Sequence, residues 1–539
     1  VINNQQMQLA DFISRFYLSP KGIVLKSFIP KKIIKRKNPE GLNLKSLENK
    51  KQKLKKPILL WQEERKSFYK KQIKKNNQVL FLVPEKTLLK KYYSWAKEID
   101  LKTEIFHGQI KEAKAFEIFK NIASNKTKII VGTRAALFLP FSKLSLIVLE
   151  KEESLSYKSW DLNPKYHSKS VALKLAQLSG AQIILGTSMP SVESFYFAKE
   201  KQYKLIKKEI KQEAKISIID MKEEREKGNY SLLSDQLRKE IENSEQTIIF
   251  NNRKGLATSM RCKDCGHIIK CSECDIPMVF HKKFNNKKNV LVCHHCLKTM
   301  QTPSVCPKCK SREIKLSGSG TQKMFQELKG FKAVIFDKDS VPKKNEQKKL
   351  LKEFKEKKYN ILITTQLILG YLHELKKDFY LGAIISADRL MNIPEYRASE
   401  NFFHLIFQLR RISTKLLIQT YNKDSELFNT KTEDFYNQEI KNRKLLNYPP
   451  FCKIIKLGYL DFSIENGKKE ALDLKTKLEK YIPEIKVMGP SLALVPKVKN
   501  KYLWHLIIKI NKKDYNKAQI IRQLAKEKWM IDVEPISLN

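Results

Sequence analysis

The sequence lacks any apolar run as long as the ~18–20 residues that a membrane-spanning helix needs. Its first residues, VINNQQMQLADF, also lack the charged start and apolar stretch of a secretion signal. Both absences argue against a protein that enters or crosses a membrane. We therefore expect a cytoplasmic protein without a membrane partner, in which cysteine thiols stay reduced and favour metal binding over disulfides.

Acidic residues are scarce relative to basic ones. The 539 residues include 105 Lys and Arg but only 57 Asp and Glu, which gives a formal net charge of +48. Such an excess attracts polyanions and favours nucleic acid as the partner. A second explanation stays open, because lysine outnumbers arginine and is spread along the whole chain, as expected when an entire proteome drifts in composition.

Short apolar runs alternate with charged amphipathic segments from about residue 57 onward. Near-continuous apolar runs of this length are typical of parallel strands that are covered on both faces, so the pattern predicts doubly wound α/β domains. The length suggests about three or four domains in all. The predicted strands include QVLFLVPE, KIIVGTR, LSLIVLE and AQIILGTS in a first series, and QTIIFNN, NILITTQ, LGAIISADR and KLLIQTYN in a second.

Cysteine is infrequent, but its distribution is highly ordered. Eight of the nine cysteines form the C-x-x-C pairs Cys262/Cys265, Cys271/Cys274, Cys293/Cys296 and Cys306/Cys309. A C-x-x-C turn places two thiolates on one side, so four pairs can complete two four-thiolate sites of structural zinc, and spacing alone leaves several pairings open. Three nearby histidines are surplus to such sites: His281, His294 and His295. The ninth cysteine, Cys452, is expected to be a buried thiol.

Seven segments form an ordered series along nearly the whole chain: LVPEKTLL, GTRAALFLPFSKLSLIVLE, LGTSMPSVESF, FNNRKGLATSMRC, GSGTQKM, SADRLMNIPEYRASEN and RKLLNYPPF. Together with the spacing of the eight paired cysteines, they resemble primosomal protein N′ (PriA), the family of replication-restart helicases of superfamily 2. The motifs are specific and cover most of the chain. The chain is therefore similar to this family in organisation, and the expectations that follow derive from that resemblance.

The resemblance implies an α/β protein with two RecA-like helicase lobes, an inserted binuclear zinc module in the second lobe and a C-terminal α+β domain. The expected units are residues 57–205 for lobe 1, 206–430 for lobe 2 with the zinc-binding insert 260–312, and 431–539 for the C-terminal domain. Residues 1–56 are expected to be a remnant of the N-terminal and winged-helix region followed by a basic linker. Most of that region, including the pocket for a 3′ end, is expected to be missing.

The resemblance also implies how the cysteines pair. The outer pairs share one zinc ion: Cys262, Cys265, Cys306 and Cys309. The inner pairs share the other: Cys271, Cys274, Cys293 and Cys296. Both ions would be structural cofactors, because the thiolates leave no open coordination position, and both would supply folding energy to an insert with little core of its own.

The family hydrolyses ATP, which requires a glycine-rich loop that leads to a lysine and a hydroxyl residue. The matching segment is PILLWQEERKSFYKK, in which Lys66 and Ser67 stand for the lysine–threonine pair. The glycine positions are occupied by Leu60, Glu63 and Arg65. Because side chains there obstruct the approach of phosphate and carboxylates repel it, we predict no working phosphate loop, which puts ATP and Mg²⁺ in doubt as cofactors.

The acidic motif of the family, D-E-E-H, is Glu150-Lys151-Glu152-Glu153 here. Glu150 remains acidic at the position that binds Mg²⁺, and Glu152 also aligns with a carboxylate. Lys151 replaces the carboxylate that orients the attacking water, and an ammonium group cannot accept a hydrogen bond or a proton. We favour the simpler interpretation that this segment is a solvated charged turn after a strand.

Two motifs of the second lobe are also eroded. The arginine-bearing motif Q-x-A-G-R-A-G-R is QLRRISTK here, which retains Gln408 but has Ile412 and Lys415 at the arginine positions. Arg410 and Arg411 are displaced by the alignment, so no role is transferred to them. The preceding motif, TTQLILGYLHEL, has lost its lysine and a glycine. No catalytic residue is expected, and the vestigial nucleotide residues are Lys66, Ser67, Glu150, Glu152 and Gln408.

Four basic or hydroxyl residues are candidates for nucleic-acid binding. Thr133 and Arg134 follow a strand, at a place where superfamily 2 lobes typically contact the nucleic-acid backbone, and Arg253 and Lys254 occupy a similar position in the second lobe. Contacts of this kind position phosphates and read no base sequence. The alternative for each is an ordinary charged loop residue.

The resemblance and the eroded motifs together predict a replication-restart and primosome-assembly factor of the bacterial cytoplasm and nucleoid. It would bind branched or forked DNA and scaffold the reloading of the replicative helicase without efficient unwinding. The implied partners are forked and single-stranded DNA, single-strand-binding protein, and primosome and helicase-loading proteins. Two alternatives stay open: an active ATP-dependent 3′-to-5′ DNA helicase with a divergent nucleotide site, and a general zinc-ribbon nucleic-acid-binding protein.

Overall fold

The computed structural model of the chain combines two parallel α/β sheets with a cysteine-rich module and an antiparallel C-terminal domain. None of the helices in the described part is long and apolar enough to span a membrane. The predicted basic linker falls almost entirely outside that part. The structure describes residues 2–29, 55–160, 163–208, 214–251, 259–262, 264–265, 267–273, 278–281, 290–293, 298–317, 320–375, 380–393, 395–428 and 430–538.

Two N-terminal helices, α1 (Asn4–Phe16) and α2 (Lys21–Lys26), pack on the α/β lobe that follows them. Asn3 caps the start of α1, because its side chain accepts a hydrogen bond from the Gln6 amide at 2.7 Å, while the Gln6 side chain accepts one from the Asn3 amide at 3.1 Å. The Gln6 side chain also donates to the carbonyl of Phe138 in the lobe at 2.9 Å. The start of α1 is thereby fixed locally and tied to the lobe.

The first lobe is built on strands that are almost continuously apolar. They are β1 (Ile58–Trp61), β2 (Gln78–Leu82), β3 (Thr103–Phe106), β4 (Ile129–Gly132), β5 (Leu144–Glu150), β6 (Gln182–Thr187) and β7 (Lys204–Lys207). All pair in parallel in the order β3-β4-β2-β5-β6-β1-β7. Every residue of β2 and β4 is buried, because helices cover both faces. These helices are α3 (Lys66–Lys74), α4 (Lys86–Lys97), α5 (Glu112–Ala123), α6 (Ser168–Ser179) and α7 (Val192–Lys199).

The second lobe repeats this design with six parallel strands. They are β8 (Lys215–Asp220), β9 (Gln246–Phe250), β15 (Ala333–Phe336), β16 (Ile361–Thr364), β17 (Tyr380–Ile384) and β18 (Lys415–Thr420). Their order is β15-β16-β9-β17-β18-β8. The helices are α8 (Met221–Glu226), α9 (Asp235–Glu242), α10 (Gly320–Glu327), α11 (Lys344–Lys355), α12 (Ala387–Met391) and α13 (Ala398–Arg410). The two predicted α/β series are thus confirmed as two doubly wound sheets.

The cysteine-rich module is inserted between β9 and α10. It consists of small antiparallel sheets formed by β10 (Ser259–Cys262), β11 (Val279–His281), β12 (Val290–Val292), β13 (Thr299–Gln301) and β14 (Ile314–Ser317). Strand β10 pairs with β14, and β12 lies between β11 and β13. The β10–β14 pair forms the base of the module, because these two strands lead the chain out of the second lobe and back into it.

Helix α14 (Thr432–Leu445) lies at the start of the predicted C-terminal domain and packs against α7 of the first lobe. The domain comprises β19 (Cys452–Asp461), α15 (Ile464–Tyr481), β20 (Lys486–Val498), β21 (Lys501–Asn511), α16 (Ala518–Ala525) and β22 (Met530–Val533). Its sheet is antiparallel in the order β20-β21-β19-β22. A fully buried lysine of the first lobe, Lys158, joins the two units, since its Nζ lies 2.8 Å from a carboxylate oxygen of Asp532.

Candidate nucleotide site and metal centre

The strand–loop–helix unit that would carry a phosphate loop persists at β1 and α3, but its side chains are arranged differently. Lys66, at the first position of α3, places its Nζ 5.8 Å from the centre of the Trp95 ring. Ser67 is exposed. Lys66 and Ser67 therefore contribute an aromatic contact and a surface hydroxyl at the start of the helix, and the residue before them extends toward the end of β5.

That residue is Arg65, whose guanidinium group turns back to Glu150 at the end of β5. Nε of Arg65 lies 3.0 Å from Oε2 of Glu150, and Nη2 lies 2.5 Å from Oε1. Both side chains are buried, with 8% of Arg65 and 1% of Glu150 exposed. The remaining nitrogen of Arg65 donates to the carbonyl of Gln62 and, at 3.4 Å, to Oγ of Ser188. A two-point ion pair of this geometry is the strong form of the arginine–carboxylate contact.

Two tyrosines complete the surroundings of the Glu150 carboxylate. The hydroxyl of Tyr69 donates to Oε2 at 2.6 Å, and that of Tyr92 donates to Oε1 at 2.9 Å. A side chain at Gly186 on neighbouring β6 would collide with the Tyr69 hydroxyl, 1.7 Å from its Cβ position, so this approach requires glycine. Burial opposes ionisation of Glu150, but the charge of Arg65 and the hydrogen bonds from Arg65 and the two tyrosines outweigh it and lower its pKa. The carboxylate is thus charged and saturated with donors.

The segment after Glu150 is not the solvated turn that we favoured from the sequence. That interpretation is wrong, because Glu152 is also only 1% exposed and is held by Lys169, whose Nζ lies 2.7 Å from Oε2. Glu152 further accepts a hydrogen bond from the Ser191 amide at 2.7 Å. Burial and the neighbouring Glu152 raise the pKa of Glu153 to about 7. Lys169, Ser191 and Ser194 surround the Glu152 carboxylate and bury it at the carboxyl end of β5.

The arginine that reaches this site from the second lobe is Arg411, to which the alignment transferred no role. Its Nε lies 2.8 Å from Oε1 of Glu63 in the loop after β1, and its Nη1 donates to Ser188 at 3.1 Å. The residues at the aligned arginine positions lie elsewhere: Ile412 is in the apolar core, and Lys415 pairs with Glu240 within the second lobe. The sequence signal that could have indicated this contact is the arginine three residues after Gln408, just beyond the end of α13.

The outer cysteines come together as the resemblance implied. Ligand atoms of Cys262, Cys265, Cys306 and Cys309 all lie within 4.8 Å of one another. The Cys262 and Cys309 sulfurs are 3.6 Å apart, and those of Cys265 and Cys306 are 3.7 Å apart. Four sulfurs at the usual Zn–S distance of about 2.3 Å would be separated by about 3.8 Å in a tetrahedron. The donor set therefore fits zinc, and the pairing of β10 with β14 supports it.

Only half of the inner set lies in the described part of the chain. Cys271 and Cys293 are buried and share an apolar cluster, whereas Cys274 and Cys296 fall outside the described residues, as do His294 and His295 and the His281 side chain. The second zinc site therefore stays a prediction. Cys452 is buried, as predicted, and burial raises the pKa of its thiol to about 11.

The predicted DNA contacts are only partly described. Thr133 is 8% exposed, and Arg134 donates to the carbonyl of Lys158, whose own side chain pairs with Asp532 of the C-terminal domain. Arg253 and Lys254 lie outside the described residues. DNA binding by all four residues stays a prediction.

Sequence reasoning missed a cleft of about 440 Å³ between the cysteine-rich module and the C-terminal domain. Its lining includes two lysines and a tyrosine from segments far apart in the chain, and these residues are Lys270, Lys497 and Tyr502. Lys497 donates to the carbonyl of Ser272 at 3.4 Å and so bridges the two units at this point. A separation of more than two hundred positions explains why no sequence pattern reveals the cleft.

Comparison with known proteins yields two family models and many relatives. Residues 271–300 match the model described as PriA DNA helicase Cys-rich region (CRR) domain, and residues 444–536 match Primosomal protein N C-terminal domain. Among curated proteins, the chain is 32% identical over 490 residues to Replication restart protein PriA of Borreliella burgdorferi, covering 86% of this chain and 73% of that protein.

Two further relatives bear the same description. The one from Rickettsia prowazekii is 30% identical over 558 residues, which cover 95% of this chain and 84% of the relative. The one from Synechocystis is 29% identical over 497 residues, and the chain spans only 60% of its length. The relatives, the two family models and the predicted motifs agree along most of the chain, and we conclude that it belongs to the PriA family of replication restart proteins.

Proposed function

We propose that this chain is a replication-restart and primosome-assembly factor that binds branched or forked DNA without ATP-driven unwinding. Membership of the PriA family, the net charge of +48 and the four clustered outer cysteines support a DNA-binding role. The proposal that the chain does not unwind DNA rests on the buried ion pair between Arg65 and Glu150. In this role the chain is a scaffold on which the replicative helicase is reloaded.

The ion pair blocks nucleotide in two ways. A working site needs a carboxylate oxygen for Mg²⁺ and open backbone amides for phosphate, but both oxygens of Glu150 already accept from Arg65 and from a tyrosine. The nucleotide would first have to separate a buried ion pair, at a cost of about 3–5 kcal/mol, before it gained any phosphate contact. The site is therefore filled by the chain itself.

Two structural zinc ions complete the proposal. The outer cysteines hold one ion and the inner cysteines the other, and both stabilise the module that projects from the second lobe. Forked and single-stranded DNA, single-strand-binding protein and helicase-loading proteins are the partners that the resemblance implies. With these partners the chain acts at the nucleoid in the bacterial cytoplasm.

The test combines ATP turnover with strand displacement on a forked duplex. We expect no DNA-stimulated ATP hydrolysis and no strand displacement, together with a higher affinity for forks than for duplex DNA or RNA at a fixed salt concentration. ATP-dependent displacement would favour an active 3′-to-5′ helicase with a divergent nucleotide site. Equal affinity for forks, duplex and RNA would favour a general zinc-ribbon nucleic-acid-binding protein.

A further inference from the structure

Side chains of both lobes meet across the filled nucleotide site. Arg411 of the second lobe pairs with Glu63 of the first lobe at 2.8 Å and donates to Ser188 at 3.1 Å. Arg65 of the first lobe donates to the same hydroxyl at 3.4 Å. Two guanidinium groups from opposite lobes therefore share one acceptor, and each also has its own carboxylate.

A second set of charges joins the lobes at greater depth. Glu193 of α7 in the first lobe pairs with Arg397 at 2.5 Å and with Arg443 at 3.3 Å. Glu400 of the second lobe pairs with Arg397 at 3.0 Å and with Arg443 at 2.8 Å. Arg443 lies on α14 and is 2% exposed. Burial opposes the charge of Glu400, but Arg443 and Arg397 outweigh it and lower its pKa, so all four groups are charged and paired.

Apolar and backbone contacts surround these charges. The carbonyl of Pro190 in the first lobe accepts a hydrogen bond from Tyr436 at 2.5 Å and lies 3.1 Å from Nε2 of His404. The rings of Phe195 and Tyr436 stack with their centres 4.5 Å apart. Both lobes and α14 contribute to one apolar cluster, which contains Trp61, Met189, Val192, Phe403, Phe407, Phe435 and Tyr436.

In an ATP-driven motor, lobe closure requires a nucleotide that binds the closed state better than the open one. Here the contacts that span the site are made by side chains of the chain itself. Opening of the lobes would expose paired charges and stacked rings to water, and no new partner would replace the ones that are lost. We propose that these contacts hold the two lobes in one closed arrangement, so that the chain is a fixed clamp whose DNA-binding surface does not respond to nucleotide. The inference rests on the proposed function, because it concerns a chain without a nucleotide cycle.

Distance measurements between the lobes test the clamp in the zinc-loaded chain of 539 residues. Spin labels are attached to unnatural amino acids at two exposed positions, Glu112 on α5 and Lys348 on α11, which spares the cysteines. We expect one narrow distance distribution that is unchanged by a non-hydrolysable ATP analogue with Mg²⁺ and by forked DNA. Two populations in the unliganded chain, or a shift on adding nucleotide, would overturn the proposal.

A variant tests whether the named contacts hold the lobes. The variant combines Glu63→Gln, Arg411→Gln and Glu193→Gln. The last of these changes leaves Arg397 and Arg443 paired with Glu400, so that the chain still folds. We expect a second population at longer distance, and an unchanged distribution would overturn the assignment. The matched control is Glu240→Gln with Lys415→Gln, a pair within the second lobe of similar exposure, for which we expect the distribution of the unaltered chain.

ATP turnover measured on the same samples separates the clamp from the proposed function. ATP turnover at an unchanged interlobe distance would contradict the proposed lack of ATP hydrolysis but would agree with the clamp. A distance that shifts with nucleotide in the absence of turnover would overturn the clamp alone.

Discussion

Arg65 and Glu150 form a buried two-point ion pair, with nitrogen–oxygen distances of 3.0 and 2.5 Å, between the loop after β1 and the end of β5. These are the segments that hold phosphate and Mg²⁺ in an ATP-binding lobe. The guanidinium group of Arg65 contacts both oxygens of Glu150, and two tyrosines take up the remaining acceptor capacity of this carboxylate.

Removal of Arg65 is expected to destabilise the first lobe and not to restore ATPase activity. Arg65→Ala leaves the Glu150 carboxylate buried with only its tyrosine partners, so the free energy of unfolding should fall by about 3–5 kcal/mol. Arg65→Met combined with Glu150→Gln removes both charges and should lower the free energy of unfolding by less. Urea denaturation gives both values. Arg411→Ala, which changes a partly exposed pair, is the control and should cost about 1 kcal/mol or less.

Stability should depend on pH through Glu153. Its pKa is raised from 4.5 to about 7 by burial and by Glu152, so the folded state binds a proton more tightly than the unfolded state and loses stability as pH rises from about 4.5 to about 7. Partial exposure of Glu153 reduces the expected loss to about 2 kcal/mol. Glu153→Gln should therefore match the unaltered chain near pH 4.5 and exceed its stability at pH 8.

Denaturation midpoints at the two pH values measure that difference. Glu112→Gln, a change on the exposed surface of α5, is the control and should leave the pH dependence unaltered. A Glu153→Gln variant whose stability falls with pH as steeply as that of the unaltered chain would contradict the assignment.

The number of zinc ions bound per chain should depend on the paired cysteines. We expect two zinc ions per chain, measured by elemental analysis of purified protein, and one in Cys306→Ser, because a site with three thiolates binds zinc less tightly. Chelation should unfold the module, since metal binding supplies its folding energy, while both α/β sheets persist in circular dichroism. Cys452→Ser should retain both ions because Cys452 lies in β19, away from the module. A single ion in the unaltered chain would refute the second site.

The cleft between the module and the C-terminal domain should contribute phosphate contacts to fork binding. Lys270→Gln with Lys497→Gln is expected to weaken fork binding and to reduce the slope of log affinity against log salt by about 2, or about 1 per lost contact. Lys348→Gln with Lys349→Gln, two exposed lysines of α11, removes the same charge and should leave the slope nearly unchanged. Equal losses in both variants would mean that only the total charge of the chain matters.

The strands of both lobes and the individual C-x-x-C pairs could be predicted because their signals are local, whereas the grouping of the two outer pairs into one set was implied by the family resemblance. Near-continuous apolar runs such as β2 and β5 can be covered only inside a parallel sheet, and Cys306 and Cys309 are placed by one tight turn. The segment after Glu150 was misinterpreted because a run of charges has no local sign of burial. Only the sheet neighbours and Lys169 make Glu152 an interior residue.

By itself, the sequence determined the family, the two α/β lobes, the inserted cysteine module and the erosion of the nucleotide motifs, since each depends on residue type and spacing along the chain. Only the tertiary structure decided which side chains meet between the loop after β1 and the end of β5. Arg65 and Glu150 are 85 positions apart, and Arg411 and Glu63 belong to different lobes. The Arg65–Glu150 pair forms because packing brings distant charges into a space without water, where each must find a partner.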